Sequence, residues 1–317
     1  MYRLIKKYWF FIGLFLVFVI TVADVSETVS SVGGWLKMHR GPDAVIVLVF
    51  FFSGLILDAR QIRSDVMDIK GIIAALIIIF LVAPVIGALF GAIPLDTSVV
   101  IGVFLVAVMP TTLSSGVVMT GAAGGNMAQA LVITILAHGL AVFTIPVMLS
   151  LLLRLVGGSA VVYIDKSAIM IKLGFYVLLP LCFGLTIKFL TKSLMDRFVY
   201  RLQMLNQLLV LGIVWMAMSQ ARSAIISGGA SVGIILLLVF SFHGILLSVA
   251  GIFTGCLKLG KGRRESVIFM GGQKTLPLSI ILQVSLFPQY GLALVVCVLH
   301  HLIHLLMDGY LVGRLKA

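Results

Sequence analysis

The stretch Gly271-Gly272-Gln273-Lys274-Thr275-Leu276-Pro277 puts helix breakers and a full positive charge inside an apolar run that extends from Val267 to Leu286. A Lys at the centre of a membrane helix is disfavoured by about 2.5–3.5 kcal/mol, and glycines with a proline weaken the backbone ladder at the same place. Non-helical backbone at membrane depth persists only where protein or a watery cavity surrounds it, so this stretch is a candidate transport site. An ammonium here can neutralise the carbonyl end of a broken helix and attract an anionic substrate. A second reading makes Lys274 a proton carrier. A purely structural one ties it permanently to the carbonyls of an opposite break, or lets it reach through the core toward water.

A partner break lies earlier in the chain. Val108-Met109-Pro110-Thr111-Thr112-Leu113-Ser114-Ser115-Gly116 interrupts an apolar run that ends at Gly121-Ala122-Ala123-Gly124-Gly125-Asn126. Pro110 removes a backbone donor, and the hydroxyls after it can re-satisfy freed carbonyls or face a cavity. Thr112-Leu113 aligns with Thr275-Leu276. The other polar cluster is His300, His301, His304 and Asp308, spaced to share one side of a helix, with His138 and His243 as lone histidines in other runs. No second cluster completes a metal site, so no metal centre and no other cofactor are expected. The lone histidines read as packing residues, with a protonation role beside Lys274 left open.

These residues need membrane-spanning elements to hold them. Of 317 residues 61% are hydrophobic and 11% charged, which excludes a soluble domain. Ten apolar runs long enough for a bilayer are expected: Tyr8 to Asp24, Ala44 to Leu57, Ile72 to Ile93, Val99 to Ala123, Met127 to Leu153, Ala168 to Leu190, Leu202 to Met218, Val232 to Leu257, Val267 to Leu286 and Gly291 to Val312. The second is short. No linker divides them, so residues 1–317 form a single transmembrane transporter domain. Broken helices fourth and ninth in order imply two five-helix repeats, about 8–153 and 168–312, inserted in opposite orientations.

The net charge of +12 is read through its placement rather than as a nucleic-acid signal. With the N-terminus inside, the outer segments hold only Lys37, Arg40, Arg154, Lys166, Lys172 and Arg222, and the inner segments hold the rest apart from Lys274. Among them are Arg60 and Arg63. The bias puts both termini in the cytoplasm and suits a bacterial inner membrane. Arg3, Lys6 and Lys7 ahead of an apolar run resemble a secretory signal, but Thr21-Val22-Ala23 is a poor cleavage site and a retained first helix is expected. Cys182, Cys256 and Cys297 have no paired spacing and read as small core residues.

Phe51-Phe52-Ser53-Gly54-Leu55, Met109-Pro110 with Ser114-Ser115-Gly116, Gly124-Gly125-Asn126, Gln273-Lys274-Thr275-Leu276 and His301 together resemble the bile acid:sodium symporter superfamily. The likeness is greatest to its sodium-bile-acid-symporter-like branch, of the solute carrier family 10 member 7 type. The resemblance implies an all-α fold of ten helices in two inverted repeats. A panel of helices one, two, six and seven packs on a core of the other six, in which broken helices four and nine cross. It also implies sodium ligands: Ser114 and Ser115 match the helix-four position, Thr134 the helix-five hydroxyl and Gln273 the helix-nine glutamine. With Gln273 and Pro84 as anchors, however, the family's sodium-binding glutamate falls on Phe269, its asparagine on Lys274 and its second-site glutamine on Ile79. Sodium prefers oxygen ligands, so two of these changes remove ligands and the third adds a repelling charge.

The expected function is secondary transport of a small to medium organic anion by alternating access, without the family's two-sodium coupling. The expected substrate- or ion-binding residues are Thr111, Thr112, Ser114, Ser115, Asn126, Thr134, Gln273, Lys274, Thr275 and His301. Three alternatives stay open: a sodium- or proton-coupled bile-acid-like symporter, a non-enzymatic regulator of calcium or lipid homeostasis, and an intramembrane enzyme with Ser114 or Ser115 as nucleophile. No serine-hydrolase spacing supports the last, and no phosphate-binding loop supports a nucleotide-driven pump. The expected partners are the lipid bilayer and a small molecule, not nucleic acid.

Overall fold

The computed structural model describes residues 2–57, 68–155, 164–227 and 229–316, and Arg60 and Arg63 lie outside them. Among the described residues the chain is all-helical, with no strand. The first helices are α1 (Tyr2–Val22), α2 (Thr28–Met38), α3 (Gly41–Ile56), α4 (Ile69–Ile77), α5 (Ala83–Gly91), α6 (Thr97–Ala107), α7 (Ser115–Ala122) and α8 (Met127–Leu153). The rest are α9 (Lys166–Leu173), α10 (Leu179–Asp196), α11 (Val199–Ser227), α12 (Gly229–Cys256), α13 (Arg263–Gly272), α14 (Leu276–Leu286) and α15 (Gly291–Lys316).

Among the described residues, seven helical segments are long and apolar enough to cross a bilayer: Ile69–Gly91, Met127–Leu153, Lys166–Thr191, Val199–Ser223, Ser231–Cys256, Arg263–Leu286 and Gly291–Leu315. The chain is an integral, multi-pass membrane protein. Arg263–Leu286 is 94% buried within the protein whereas Ser231–Cys256 is 33% buried, so the segment carrying Lys274 is central and α12 is peripheral. Apolar side chains such as Phe143, Leu151, Phe175 and Phe183 face outward, where lipid is the matching solvent.

Three local features depart from a plain reading of apolar runs. The short second run is preceded by a separate helix: α2 and α3 meet at 76°. Arg40 there takes a left-handed conformation (φ 59), and Pro42, which needs no N–H partner, restarts the chain as α3. The runs that begin at Ile72 and Ala168 each contain one π-helical turn, Ile78–Val82 and Gly174–Leu178, immediately ahead of Pro84 and Pro180. Finally, α6 has 11 residues and spans about 16 Å, half of a ~30 Å bilayer.

Packing divides the helices by neighbour. Helix α3 lies against α10 and α11, and α1 and α2 lie on α11. Helix α15 packs on α6 and α12, and α13 on α4, α7, α8 and α12. The α3–α10 contact needs two glycines. A Cβ on Gly54 would stand 2.4 Å from the Leu181 carbonyl oxygen, and one on Gly184 would stand 2.2 Å from that of Phe51. Beside it, Asn206 Nδ2 of α11 donates to Ser53 Oγ of α3 at 3.1 Å.

Candidate transport site

The two expected interruptions are present, and they touch. Helix α6 stops at Ala107 and α7 starts at Ser115, while α13 stops at Gly272 and α14 starts at Leu276. Met109 precedes a proline, which disfavours the helical region, and Pro110 itself cannot donate. The last carbonyls of α6 are thus left without partners from their own helix. Thr275 N–H donates to the Pro110 carbonyl at 3.0 Å, joining one break to the other.

Lys274 fills the rest of this junction. Its Nζ donates to the carbonyl oxygens of Met109 at 3.0 Å, Ile79 at 3.1 Å and Ala107 at 3.4 Å. The Ile79 carbonyl is available for a local reason. In the π-helical turn the Ala83 N–H bonds to Ile78 O, five residues back. The donor that would reach Ile79 by the same step belongs to residue 84, a proline with none. A neutral peptide group and a helix end together make an oxygen cage of the kind a cation needs, and here a side-chain ammonium occupies it. Lys274 is 2% exposed.

Behind the breaks runs a second polar chain. Asp308 of α15, fully buried, accepts from His243 Nε2 of α12 at 2.9 Å and from Gln273 Nε2 at 2.7 Å. Gln273 Oε1 accepts from Ser115 Oγ at 3.2 Å and from Thr112 Oγ1. Thr112 Oγ1 in turn accepts from Gly116 N–H at 2.9 Å. A carboxylate only accepts, so it fixes the Gln273 amide with its NH2 toward Asp308 and its oxygen toward the hydroxyls. Both hydroxyl hydrogens are thereby turned inward. The imidazoles of His300, His301 and His304 adjoin this chain, with His304 at 4.7 Å from His301 and 5.6 Å from His243 between ring centres.

A cavity of about 470 Å³ opens beside the crossing, and Thr112, Ser114, Ser115, Thr275 and His301 line it. Gln273 and Lys274 lie behind its wall. The other expected residues sit elsewhere. Thr134 Oγ1 bonds to its own helix at Ala130 O, 2.8 Å away. Asn126 caps α8 through Gln129 N–H and docks the start of α13, its N–H on Gly262 O at 2.7 Å. Thr111 is buried and does not line the cavity. A smaller cavity of about 220 Å³ shares Ser114, Val118 and Gln203 with the first and adds Lys188 of α10, 5% exposed.

Sequence reasoning passed over Lys188, which it grouped with the inner-side charges, and over the pairing of His243 with Asp308. No spacing rule links residues 243 and 308. The Ile79 oxygen belongs to the backbone and carries no side-chain signal at all, although Pro84 five residues on marks it. Among the described residues no group of three or more His, Cys, Asp or Glu is arranged to hold a metal ion.

A profile of the SBF-like CPA transporter family matches residues 8–317. The chain belongs to that family. It is similar to the Probable sodium/metabolite cotransporter BASS4, chloroplastic, of Arabidopsis thaliana, 29% identical over 280 residues, which are 84% of this chain and 64% of that protein. It is also similar to Sodium/bile acid cotransporter 7 of Xenopus tropicalis, 25% identical over 325 aligned residues, 99% of this chain and 93% of the frog protein. Its rat counterpart is 30% identical over 200 residues, 61% of this chain and 56% of the rat protein. These relatives are named as cotransporters, not enzymes.

Lys274 and Ile79, two positions at which the sequence departs from the sodium-ligand pattern that the resemblance implies, meet each other in space. The third, Phe269, is fully buried on α13.

Proposed function

We propose that this protein is a secondary transporter of a small to medium organic anion, working by alternating access, in which the Lys274 ammonium replaces a bound sodium ion. The observation that carries the reading is the seat of Lys274 on the carbonyls of Ile79, Ala107 and Met109, where two broken helices meet beside a cavity. A cation that is part of the chain cannot dissociate, so it holds the crossing together without coupling transport to sodium. Its charge favours an anion nearby, since a unit pair at 4 Å and an effective dielectric of 20 interacts by about 4 kcal/mol and the effect declines with distance. Lys188, among the residues lining the adjoining cavity, adds a second positive charge near the site.

The reading assigns ten membrane crossings to one domain, residues 1–317, as two inverted five-helix repeats with both termini cytoplasmic, in a bacterial inner membrane. The short α6 and α7 form one interrupted crossing and α13 and α14 its counterpart, each with its break about midway. The mutual packing of α1, α2, α3, α10 and α11 supports a panel that moves against the remaining helices. The relatives' names support a metabolite or bile-acid-like substrate class. Purified protein in liposomes, loaded with a panel of organic anions, tests this by flux with and without a sodium gradient. Uptake of an anion that is indifferent to sodium is the expected result. Strict sodium dependence, or no flux for any anion in protein shown to be folded, overturns it.

A further inference from the structure

Asp308 is a carboxyl group with no exposure, held by a histidine on one oxygen and by a glutamine on the other. The titratable groups around it are His243 from α12, Lys274 from the break between α13 and α14, and His300, His301 and His304 from its own helix. Helices α6, α7 and α14 carry none, those of α13 (Arg263, Arg264, Glu265) lie in its first turn, and those of α11 (Tyr200, Arg201, Arg222) lie near its ends. His301 stands on the cavity wall, and the rings of His304 and His300 fill the space between it and His243. Ring nitrogens of His243 (Nδ1), His300 (Nε2), His301 (Nδ1) and His304 (Nδ1 and Nε2) are buried without a hydrogen-bond partner. No hydrogen bond joins one ring to the next, so a proton crosses as a ring turns or water enters between them; imidazoles, which take a proton on one nitrogen and release one from the other, thus stand in series from the cavity to a carboxylate.

We propose that Asp308 is a proton-binding site whose occupancy is relayed through Gln273 to the cavity hydroxyls of Thr112 and Ser115, so that the protein takes up a proton together with its anion. This rests on the transport reading above and adds the coupling ion. The step is simple in its balance: one proton from water at the cavity adds an O–H bond to Asp308, converting carboxylate to carboxylic acid, and the same bond breaks on release. His243 takes the incoming proton at Nδ1 and passes its Nε2 proton to the carboxylate; a half-turn of the carboxyl group and of the imidazole then leaves the O–H toward Gln273 and restores a neutral His243 that donates to the other oxygen. Placing the proton on Asp308 leaves two neutral groups in a dry interior, whereas placing it on His243 leaves two charges there.

The consequence follows from donor and acceptor inventory. The O–H toward Gln273 is a donor, so the Gln273 amide must turn over and offer its oxygen to Asp308. Its NH2 then faces Thr112 and Ser115, which change from donors to acceptors. Thr112 Oγ1, already accepting from Gly116 N–H, has both lone pairs engaged and its hydrogen released toward the cavity. The released donor favours an anion in the cavity, and an anion in the cavity favours the proton, as linkage requires.

Infrared difference spectra of the protein in liposomes, recorded as the pH is lowered and with isotope-labelled glutamine, test this without any substrate. The expected result is a buried carboxylic-acid band that appears on acidification, together with a shift of the labelled glutamine carbonyl at the same midpoint. Asp308→Asn, which supplies a fixed donor, loses the carboxyl band and holds the glutamine signal in its acid form at every pH. If that variant does not insert, His243→Asn serves instead and moves the midpoint of both signals together. A band that survives Asp308→Asn, an imidazolium signal with glutamine unchanged, or no titration in the wild type overturns the proposal. Titration without anion flux removes the transport reading and the coupled uptake but leaves Asp308 as a proton site, and flux without titration removes this proposal alone.

Discussion

The ammonium of Lys274 lies 3.1 Å from the backbone oxygen of Ile79, although the two residues belong to different helices and 195 positions separate them. Neither residue type accounts for this alone. Pro84 denies Ile79 its helical partner, the π-helical turn sets the spacing that makes Pro84 the missing donor, and the glycines before Gln273 end α13 so that Lys274 can leave its axis. A cation site made of backbone oxygens is thus filled by the protein itself.

Replacing Lys274 with Ala strips the Ile79, Ala107 and Met109 carbonyls of their donor. A buried acceptor left unsatisfied costs about 1–3 kcal/mol, so thermal unfolding should move to lower temperature and anion flux should be lost. The vacated oxygens suit a monovalent cation. Sodium should therefore stabilise Lys274→Ala, by about 2.7 kcal/mol at a concentration 100 times its dissociation constant, and leave the wild type unmoved relative to potassium at equal ionic strength. Lys274→Arg should rescue poorly, because a planar fork does not fit a compact cage. Normal flux from Lys274→Ala at matched protein density would show that the charge is dispensable.

Lys188 offers a different readout because it faces a cavity rather than plugging a junction. Lys188→Gln should raise the KM for the anion by about tenfold, equivalent to about 1.4 kcal/mol. The maximal rate should change less, as expected for loss of an interaction made with bound substrate. An equal fall in rate at saturating anion would place Lys188 in the conformational step instead.

The contact between α3 and α10 is testable through its glycines. Gly54→Ala and Gly184→Ala each force a Cβ into a backbone carbonyl, and overpacking of this kind costs about 1–3 kcal/mol or more. Gly139→Ala on α8, where a Cβ meets nothing within 4 Å, should instead stabilise by up to about 1 kcal/mol through helix propensity. Thermal unfolding in one detergent compares all three, and equal effects would remove the packing argument.

Much of this was legible from apolar runs and breakers. The run expected over Met127 to Leu153 is α8 to the residue, and the interruptions expected at Pro110 to Ser115 and Gly271 to Pro277 lie where the helices stop. Those signals are local: a missing donor or a glycine acts within a turn of itself. Helix α2 was not legible because Thr28–Met38 is too short and mixed to register as a span. Its angle to α3 depends on a left-handed Arg40, a residue type with no preference for that conformation. The site divided in the same way. Thr112, Ser115 and Gln273 could be found from the breaks that carry them, whereas Lys188 and the His243–Asp308 pair depend on how distant helices pack.

Cysteine accessibility separates the residues that line the cavity from those that do not. With Cys182, Cys256 and Cys297 replaced, Ser114→Cys and Ser115→Cys should react with a small membrane-impermeant thiol reagent, since both positions are half-buried on the cavity wall. Thr111→Cys and Thr134→Cys, both fully buried and off the wall, should stay unlabelled under the same exposure. Reagent applied to one side of sealed vesicles should reach Ser115→Cys more slowly when a transported anion is present, because alternating access closes that side for part of each cycle. Labelling of Ser115→Cys that no anion alters would mean that the cavity stays open during turnover, and a fixed pore rather than a moving barrier would then describe the protein.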